Sequence, residues 1–157
     1  MHAVCILVVA AAVATAQVPP PPHQPFAFSH RIHEDHGMEC ATCHPNSDPG
    51  KDMGIPPLSE CMTCHETVAQ DDPAIRKLAL SVRKKHPAQW ARVYNIPAFV
   101  RFSHRRHLAA GTRCEECHGP VATRDALALE YPMTQKGCLA CHVPRHVGTN
   151  QCFFCHD

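Results

Sequence analysis

One long stretch of the chain, residues 73–86, alternates apolar and polar residues with the period of an α-helix. Its apolar positions fall on one helical face, at Ile75, Leu78, Ala79 and Val82. Asp71 or Asp72 is suited to cap this helix, and Pro73 suits its first turn. Pro87 should end it. The pattern predicts a helix from Pro73 to about His86 that packs as a strut between two halves of the chain.

The remaining stretches predict little regular structure. Residues 17–27 form a proline-rich arm that should be extended, and residues 45–60 contain four prolines among turn-forming residues. A second short helix is predicted around Thr123 to Leu129. We therefore expect a fold that is mostly irregular, with a few short α-helices and little or no β-sheet.

The amino-terminal residues 1–16 are apolar and end in Ala-Thr-Ala. Such a run is typical of a signal peptide with its cleavage site, and Gln17 would then begin the mature chain. The start of this run carries His2 but no lysine or arginine, which is weak for a signal peptide. The alternative is that the segment stays uncleaved as a short anchor. It is shorter than the roughly 20 residues of a membrane-spanning helix. We expect an exported, periplasmic protein, with membrane-associated and extracellular locations left open.

The composition indicates that side chains alone cannot build a large core. Among 157 residues there are one Trp, two Tyr and six Phe, against 11 Cys, 14 His and 15 Pro. Chains with so few bulky apolar residues need disulfides, metals or cofactors to complete a core. The 15 Lys and Arg are balanced by 14 Asp and Glu, so the chain lacks the basic surface of a nucleic-acid-binding protein.

Ten of the cysteines occur in five Cys-x-x-Cys pairs, and a histidine follows each pair directly. The pairs are Cys40 and Cys43, Cys61 and Cys64, Cys114 and Cys117, Cys138 and Cys141, and Cys152 and Cys155. The histidines are His44, His65, His118, His142 and His156. In this motif the thiols bond to the vinyl groups of a haem, and the histidine becomes the proximal iron ligand. We therefore predict five covalently attached c-type haems, because zinc sites, disulfides and thioredoxin-like sites do not require a histidine after every pair.

One sequence phrase occurs twice, at residues 28–44 and 102–118, with nine of seventeen positions identical. Each copy holds two histidines three residues apart, followed by a Cys-x-x-Cys-His triplet. These histidines are His30 and His33 in the first copy, and His104 and His107 in the second. Two histidines at this spacing share a helical face and cannot both reach the distal side of one iron. We therefore expect each pair to serve two haems.

With its Phe-Ser-His-x-x-His segment followed by Cys-x-x-Cys-His, the sequence resembles the class III multihaem cytochromes c, small periplasmic electron carriers. In that family the first histidine ligates the haem of the next triplet, and the second ligates the haem after it. The resemblance implies the pairs His30 with His44, His33 with His65, His104 with His118, and His107 with His142. Residues 95–100 and 117–120 are similar to pentahaem members found beside membrane quinone-oxidising complexes, which implies such a complex as a partner.

The haem attached at Cys152 and Cys155 departs from this pattern. Trihaem members of the family place its distal histidine just before the preceding triplet, whereas residues 131–137 contain no histidine here. The candidates for its distal ligand are, in order, His146, Met133 and His86. An open iron and a ligand from another subunit are further options. Two histidines have no assigned partner and are expected to be exposed, His23 and His36.

These features divide the chain into segments. They are a signal peptide at 1–16, a proline-rich arm at 17–27, a dihaem half at 28–72, a helical connector at 73–101 and a trihaem half at 102–157. Such a chain would carry single electrons between redox proteins. Multihaem enzymes often mark an open iron with a proximal residue other than histidine, but all five triplets here end in histidine. Two alternatives remain, a self-associating subunit of an extracellular cytochrome filament and an oxidoreductase with an open fifth haem.

Overall fold

The computed structural model of the protein describes residues 18–46, 50, 52–147 and 151–156. These residues form short helices joined by irregular segments. The α-helices are α1 (His30–Asp35), α2 (Cys40–Cys43), α3 (Leu58–His65), α4 (Pro73–Arg83), α5 (His104–Ala109), α6 (Glu115–His118), α7 (Gln135–His142) and α8 (Cys152–Cys155), with a 3₁₀ helix at Val121–Thr123. The described residues contain no β-sheet, and an isolated antiparallel bridge joins Val100 to His156. The predicted fold class is confirmed.

The amino-terminal segment, predicted as a signal peptide at residues 1–16, lies outside the described residues. From residue 18 to the start of α1 the arm has no helix or strand, as its prolines predict. Within the described ranges, no helix combines the length and the apolar character that crossing a membrane would need.

Helix α4 begins where the sequence predicts. The Asp72 carboxylate accepts a hydrogen bond of 2.7 Å from the Ala74 N–H, and Pro73 occupies the first turn. The helix ends at Arg83, before the predicted His86, because Lys85 takes a positive φ of 55° and turns the chain. Its packing partner is α3, within the first half of the chain.

The two halves contact each other through α1 and the 3₁₀ helix. Asp125, just after the 3₁₀ helix, accepts hydrogen bonds from the Ser29 hydroxyl at 2.6 Å and from the Arg31 guanidinium at 2.9 Å. The Arg31 N–H also donates to the Arg124 carbonyl at 3.1 Å. The first copy of the repeated phrase is therefore attached to the segment that follows the third triplet.

The short helix predicted around Thr123 to Leu129 is wrong, because the 3₁₀ helix already ends at Thr123 and the chain is extended at Arg124. Backbone groups after the 3₁₀ helix form hydrogen bonds to a distant side chain instead of to one another. The Glu130 N–H donates to the Tyr94 hydroxyl at 3.3 Å, and that hydroxyl lies 3.4 Å from the Ala128 carbonyl. Polar backbone groups satisfied in this way no longer favour helix formation.

Side chains alone form almost no core. Among the described residues the buried hydrophobic side chains are Leu58 of α3 and Leu78 of α4. Every triplet cysteine is exposed or half-buried and has no disulfide partner. A chain of this size with so little buried apolar surface needs a further component to complete its core.

Candidate haem-binding sites

The two copies of the phrase fold alike around their phenylalanines. Phe28 stacks on His33 with ring centroids 4.4 Å apart and meets His30 edge-on at 4.8 Å. In the second copy Phe102 stacks on His107 at 4.7 Å and meets His104 edge-on at 4.8 Å. One aromatic ring therefore orients both imidazoles of each copy. The role of these phenylalanines was not predicted, although their recurrence in the repeat was a visible signal.

The second histidine of each copy also has the same hydrogen bond. The Nδ1 atom of His33 lies 2.7 Å from the Ser29 carbonyl, and that of His107 lies 2.8 Å from the Ser103 carbonyl. A carbonyl can only accept, so Nδ1 carries the proton and Nε2 keeps a free lone pair. Histidines that ligate metals usually have this tautomer, fixed by a bond from the other ring nitrogen.

Three further predicted ligands have the same kind of hydrogen bond. Their Nδ1 atoms lie close to backbone carbonyls, His44 at 2.6 Å from Gly54, His65 at 3.1 Å from Val68 and His104 at 3.0 Å from Gly50. Backbone acceptors therefore leave Nε2 free in both distal and proximal candidates.

His30 differs, because its buried Nδ1 finds no hydrogen-bond partner among the described residues. Burial lowers its pKa to about 4, and the neighbouring His44 and His33 contribute to the decrease. Burial also lowers the pKa of His118, with contributions from His104 and His44. Both imidazoles are therefore neutral near pH 7, the form that binds metal.

Three distal candidates face the proximal histidines that the sequence predicts for them. The ring centroids are 6.2 Å apart for His33 and His65, 6.3 Å for His104 and His118, and 5.9 Å for His107 and His142. Two imidazoles that ligate one ion from opposite sides have ring centres about 6 Å apart, because each nitrogen lies about 2 Å from the metal. The spacing suits one iron between the rings of each pair. For the fourth predicted pair, the charge of His44 contributes to the lowered pKa of His30.

Cysteines of different triplets lie close enough for the charge of one thiolate to raise the pKa of another. In each case burial raises the pKa of one thiol, and a cysteine of another triplet raises it further. The neighbours are Cys61 with Cys43, Cys40 with Cys114, Cys117 with Cys141, and Cys138 with Cys155. Numbered along the chain, triplet 2 therefore adjoins triplet 1, triplet 1 adjoins triplet 3, and triplets 3, 4 and 5 follow in order.

The fifth triplet is held by the segment before the second phrase. His156 stacks on Phe99 with ring centroids 5.9 Å apart, and the Arg101 N–H donates to the Cys155 carbonyl at 2.7 Å. In the described part of the chain, His146 makes no ring contact with His156. The predicted distal ligand of this triplet stays a prediction.

The other candidates for that position lie in different surroundings. Met133 is half-buried, and His86 is exposed three residues after the end of α4. The two unassigned histidines, His23 and His36, are exposed as expected. Nδ1 of His36 lies 2.7 Å from the Ile32 carbonyl.

Tyr94 is a site residue that the sequence did not single out. Its ring contacts the His118 imidazole edge to face, with centroids 4.5 Å apart and 73° between the planes. No motif marks this tyrosine, which sits in the connector before the second phrase. Only the folded chain brings it to the third triplet.

Known proteins match both halves of the chain. Residues 32–95 match the cytochrome c3 family, and residues 100–157 match the family described as cytochrome c7 and related cytochrome c. The chain is also 32% identical, over 160 residues, to the multiheme cytochrome c subunit of menaquinone reductase from Nitratidesulfovibrio vulgaris (strain Hildenborough). That alignment covers 85% of this chain and 76% of the relative.

The chain belongs to the class III multihaem cytochromes c. Cytochromes of the c3 and c7 families carry electrons and are not enzymes, and their haem is attached covalently. This multihaem cytochrome c is therefore an electron-transfer protein with covalently bound c-type haem. The residues of the triplets and their histidine neighbours suit that cofactor in chemistry, in tautomer and in spacing.

Proposed function

We propose that the protein is a pentahaem cytochrome c that carries single electrons along a row of closely spaced, mostly bis-histidine haems. The observation that carries the proposal is that three predicted pairs of histidines face each other. Their ring centroids are between 5.9 and 6.3 Å apart. Each haem, when bound, supplies a one-electron iron couple. The chain supplies the attachment, the axial nitrogens and the orientation.

In this proposal four pairs of histidines are axial ligands, and ten cysteines attach the haems. The pairs are His30 with His44, His33 with His65, His104 with His118, and His107 with His142. Phe28 and Phe102 fix the angle between the two distal imidazoles of each copy, and backbone carbonyls hold Nδ1 so that Nε2 faces the metal. Ligation by two histidines, without methionine, favours low potentials.

The fifth haem would be attached at Cys152 and Cys155, with His156 as its proximal ligand. His146 remains our first choice for the distal position. It lies on the segment between triplets 4 and 5 and takes a positive φ of 54°, a backbone conformation that non-glycine residues seldom adopt. Met133 would give this iron a higher potential than a second histidine would.

The order of neighbouring triplets supports a linear path for electrons. The path runs from triplet 2 through triplets 1, 3 and 4 to triplet 5, following the adjacent cysteine pairs. Its second step, from triplet 1 to triplet 3, crosses from the dihaem half, residues 28–72, to the trihaem half, residues 102–157. The hydrogen bonds of Asp125 to Ser29 and Arg31 join the two halves. Partners would dock at the two ends.

A membrane complex that exchanges electrons with quinones is the partner we propose. The support is the relative from Nitratidesulfovibrio vulgaris, which is the multiheme cytochrome c subunit of menaquinone reductase. The apolar segment at 1–16 supports export to the periplasm, where c-type haems are attached. A location at the membrane surface would follow from docking to such a complex.

A coulometric redox titration of the purified exported protein tests this function. We expect five electrons per chain, one for each triplet, taken up reversibly and at low potential. A variant with Cys61→Ser and Cys64→Ser is the matched control and should take up one electron fewer. Fewer than five electrons in the wild-type protein, or no difference between the two proteins, would contradict the proposal.

A further inference from the structure

Tyr94 touches the proximal histidine of the third triplet at unusually close range. The ring centroids of Tyr94 and His118 are 4.5 Å apart, with 73° between the planes. Edge-to-face aromatic contacts range from about 4.5 to 7 Å, so this pair lies at the near limit. Rotation of the His118 ring about its bond to Cβ would drive it against the tyrosine.

The Tyr94 ring is fixed in turn through its hydroxyl. The Glu130 N–H donates to the hydroxyl oxygen at 3.3 Å. The hydroxyl proton can be donated to the His118 carbonyl at 3.3 Å or to the Ala128 carbonyl at 3.4 Å. The ring is therefore tied to the backbone of the same histidine whose imidazole it contacts.

The backbone segment that bonds to the Tyr94 hydroxyl is also held in place. The Glu130 carboxylate bonds to the Arg124 guanidinium through two contacts of 2.6 and 3.0 Å, and only 17% of the Glu130 side chain is exposed. Gly119 has a positive φ of 70°, and a Cβ there would lie 2.6 Å from a Glu130 carboxylate oxygen. The glycine thus allows Glu130 to close over the end of α6.

The distal partner His104 is oriented by separate contacts. Phe102 meets its ring edge-on at 4.8 Å, and Nδ1 lies 3.0 Å from the Gly50 carbonyl. The planes of His104 and His118 end only 11° apart. The corresponding angles are 43° for His107 and His142, and 72° for His33 and His65. In the residues that the structure describes, no tyrosine ring contacts either of those proximal histidines.

We propose that Tyr94 is a positioning residue that holds the His118 imidazole nearly parallel to that of His104 and so sets the electronic state of the iron between them. The inference rests on the proposed function, in which these two histidines are axial ligands. Parallel imidazole planes interact with the same iron π orbital, whereas crossed planes interact with both. The first arrangement separates those orbitals in energy and gives a rhombic low-spin ferric signal.

Electron paramagnetic resonance of the oxidised holoprotein tests the role of Tyr94. The wild-type spectrum should contain a rhombic low-spin component from the parallel pair. In Tyr94→Leu, which removes the aromatic wall, that component should be lost and replaced by a signal with a larger maximal g value. In Tyr94→Phe, which keeps the ring but loses the three hydroxyl contacts, the component should broaden and shift in the same direction.

Tyr131→Phe is the matched control, because the Tyr131 hydroxyl donates to the Gly137 carbonyl at 2.6 Å and its ring contacts no histidine among the described residues. Its spectrum should equal the wild-type spectrum. An unchanged rhombic component in Tyr94→Phe and in any Tyr94→Leu protein that carries its full haem complement would overturn the inference. A wild-type protein short of haem by mass would instead refute the proposed function, so the two failures are distinguishable.

Discussion

The imidazole rings of His33 and His65 face each other with centroids 6.2 Å apart and 72° between their planes. They belong to segments 32 residues apart in the chain, on α1 and at the end of α3. Phe28 stacks on the first ring, and a backbone carbonyl holds Nδ1 of each. The neighbouring His36 has the same kind of Nδ1 contact but no such partner ring in the described part of the chain.

This difference between His33 and His36 gives a matched pair of variants. His33→Ala removes the distal candidate of the second triplet, so one iron should change from low spin to high spin and bind cyanide. His36→Ala should leave the spin state of every iron as it is in the wild-type protein, because His36 is exposed and faces no triplet histidine among the described residues. Absorbance spectra report the spin state of the irons in each variant, and titration with cyanide reports its binding. Equal behaviour of the two variants would exclude His33 as a ligand.

The ring angles predict different spectra for different irons in the wild-type protein. The angles are 72° at His33 and His65, and 11° at His104 and His118. Crossed planes keep the two iron π orbitals close in energy, so the first pair should give a signal with a large maximal g value. The second should give a rhombic signal. Electron paramagnetic resonance of the oxidised protein should resolve both types, and a spectrum of a single type would contradict these geometries.

Local patterns predicted those parts of the structure that depend on neighbouring residues. The cap and first turn of α4 formed as expected, because Asp72 and Pro73 act within one helical turn. Helix α4 ends before the predicted residue because Lys85 adopts a left-handed conformation. No glycine near that position indicated such a turn in the sequence. Likewise the helix expected near Thr123 does not form, because the backbone groups of Ala128 and Glu130 bond to Tyr94, which lies 34 and 36 residues away.

The residues of the candidate site also divide into those that local patterns predict and those that only the fold brings together. Spacing identified the triplets and the paired histidines, since those features recur within seventeen residues. The contact of Tyr94 with His118, and the bond of His104 Nδ1 to the Gly50 carbonyl, join residues 24 and 54 positions apart. Sequence periodicity carries no information on such contacts, so only the folded chain could reveal them.

Asp52 should make stability depend on pH. Its pKa is lowered from 3.8, first by the Gly54 N–H and then by Arg92, while the Gly54 carbonyl faces His44. A lowered folded pKa contributes stability above the unfolded pKa, and that stability is lost as pH falls through the folded pKa. Asp52→Asn should therefore destabilise the protein by about 0.5 kcal/mol at neutral pH, because the pair is half exposed.

Thermal unfolding of the Asp52→Asn protein at several pH values checks this. The difference from wild type should begin to shrink below the unfolded pKa of about 4 and be lost as pH falls through the lowered pKa of the folded carboxylate. Asp71→Asn is the control, since its carboxylate is fully exposed and its nearest guanidinium, that of Arg76, is 3.9 Å away. A difference that is constant with pH would show that the charge of Asp52 does not matter.

Two glycines with a positive φ differ in the space available beside them. Gly111 has φ of 80° and open space where a Cβ would lie, whereas Gly119 has φ of 70° and a Glu130 carboxylate oxygen 2.6 Å from that position. Gly111→Ala should cost about 1 kcal/mol from backbone strain alone. Gly119→Ala should cost about 1–3 kcal/mol more, because φ of 70° with ψ of −172° is a conformation that essentially only glycine adopts, and the added methyl group also displaces Glu130. Chemical denaturation of both holoproteins gives the difference, and equal costs would contradict the close approach of Glu130.

The intact mass of the purified exported protein, measured under denaturing conditions, tests the central claim most directly. Thioether bonds survive denaturation, so the haem attached to each triplet remains on the chain. We predict the mass of the polypeptide plus five haems, one for each Cys-x-x-Cys-His triplet. A mass corresponding to fewer than five haems, or to the polypeptide alone, would contradict the account.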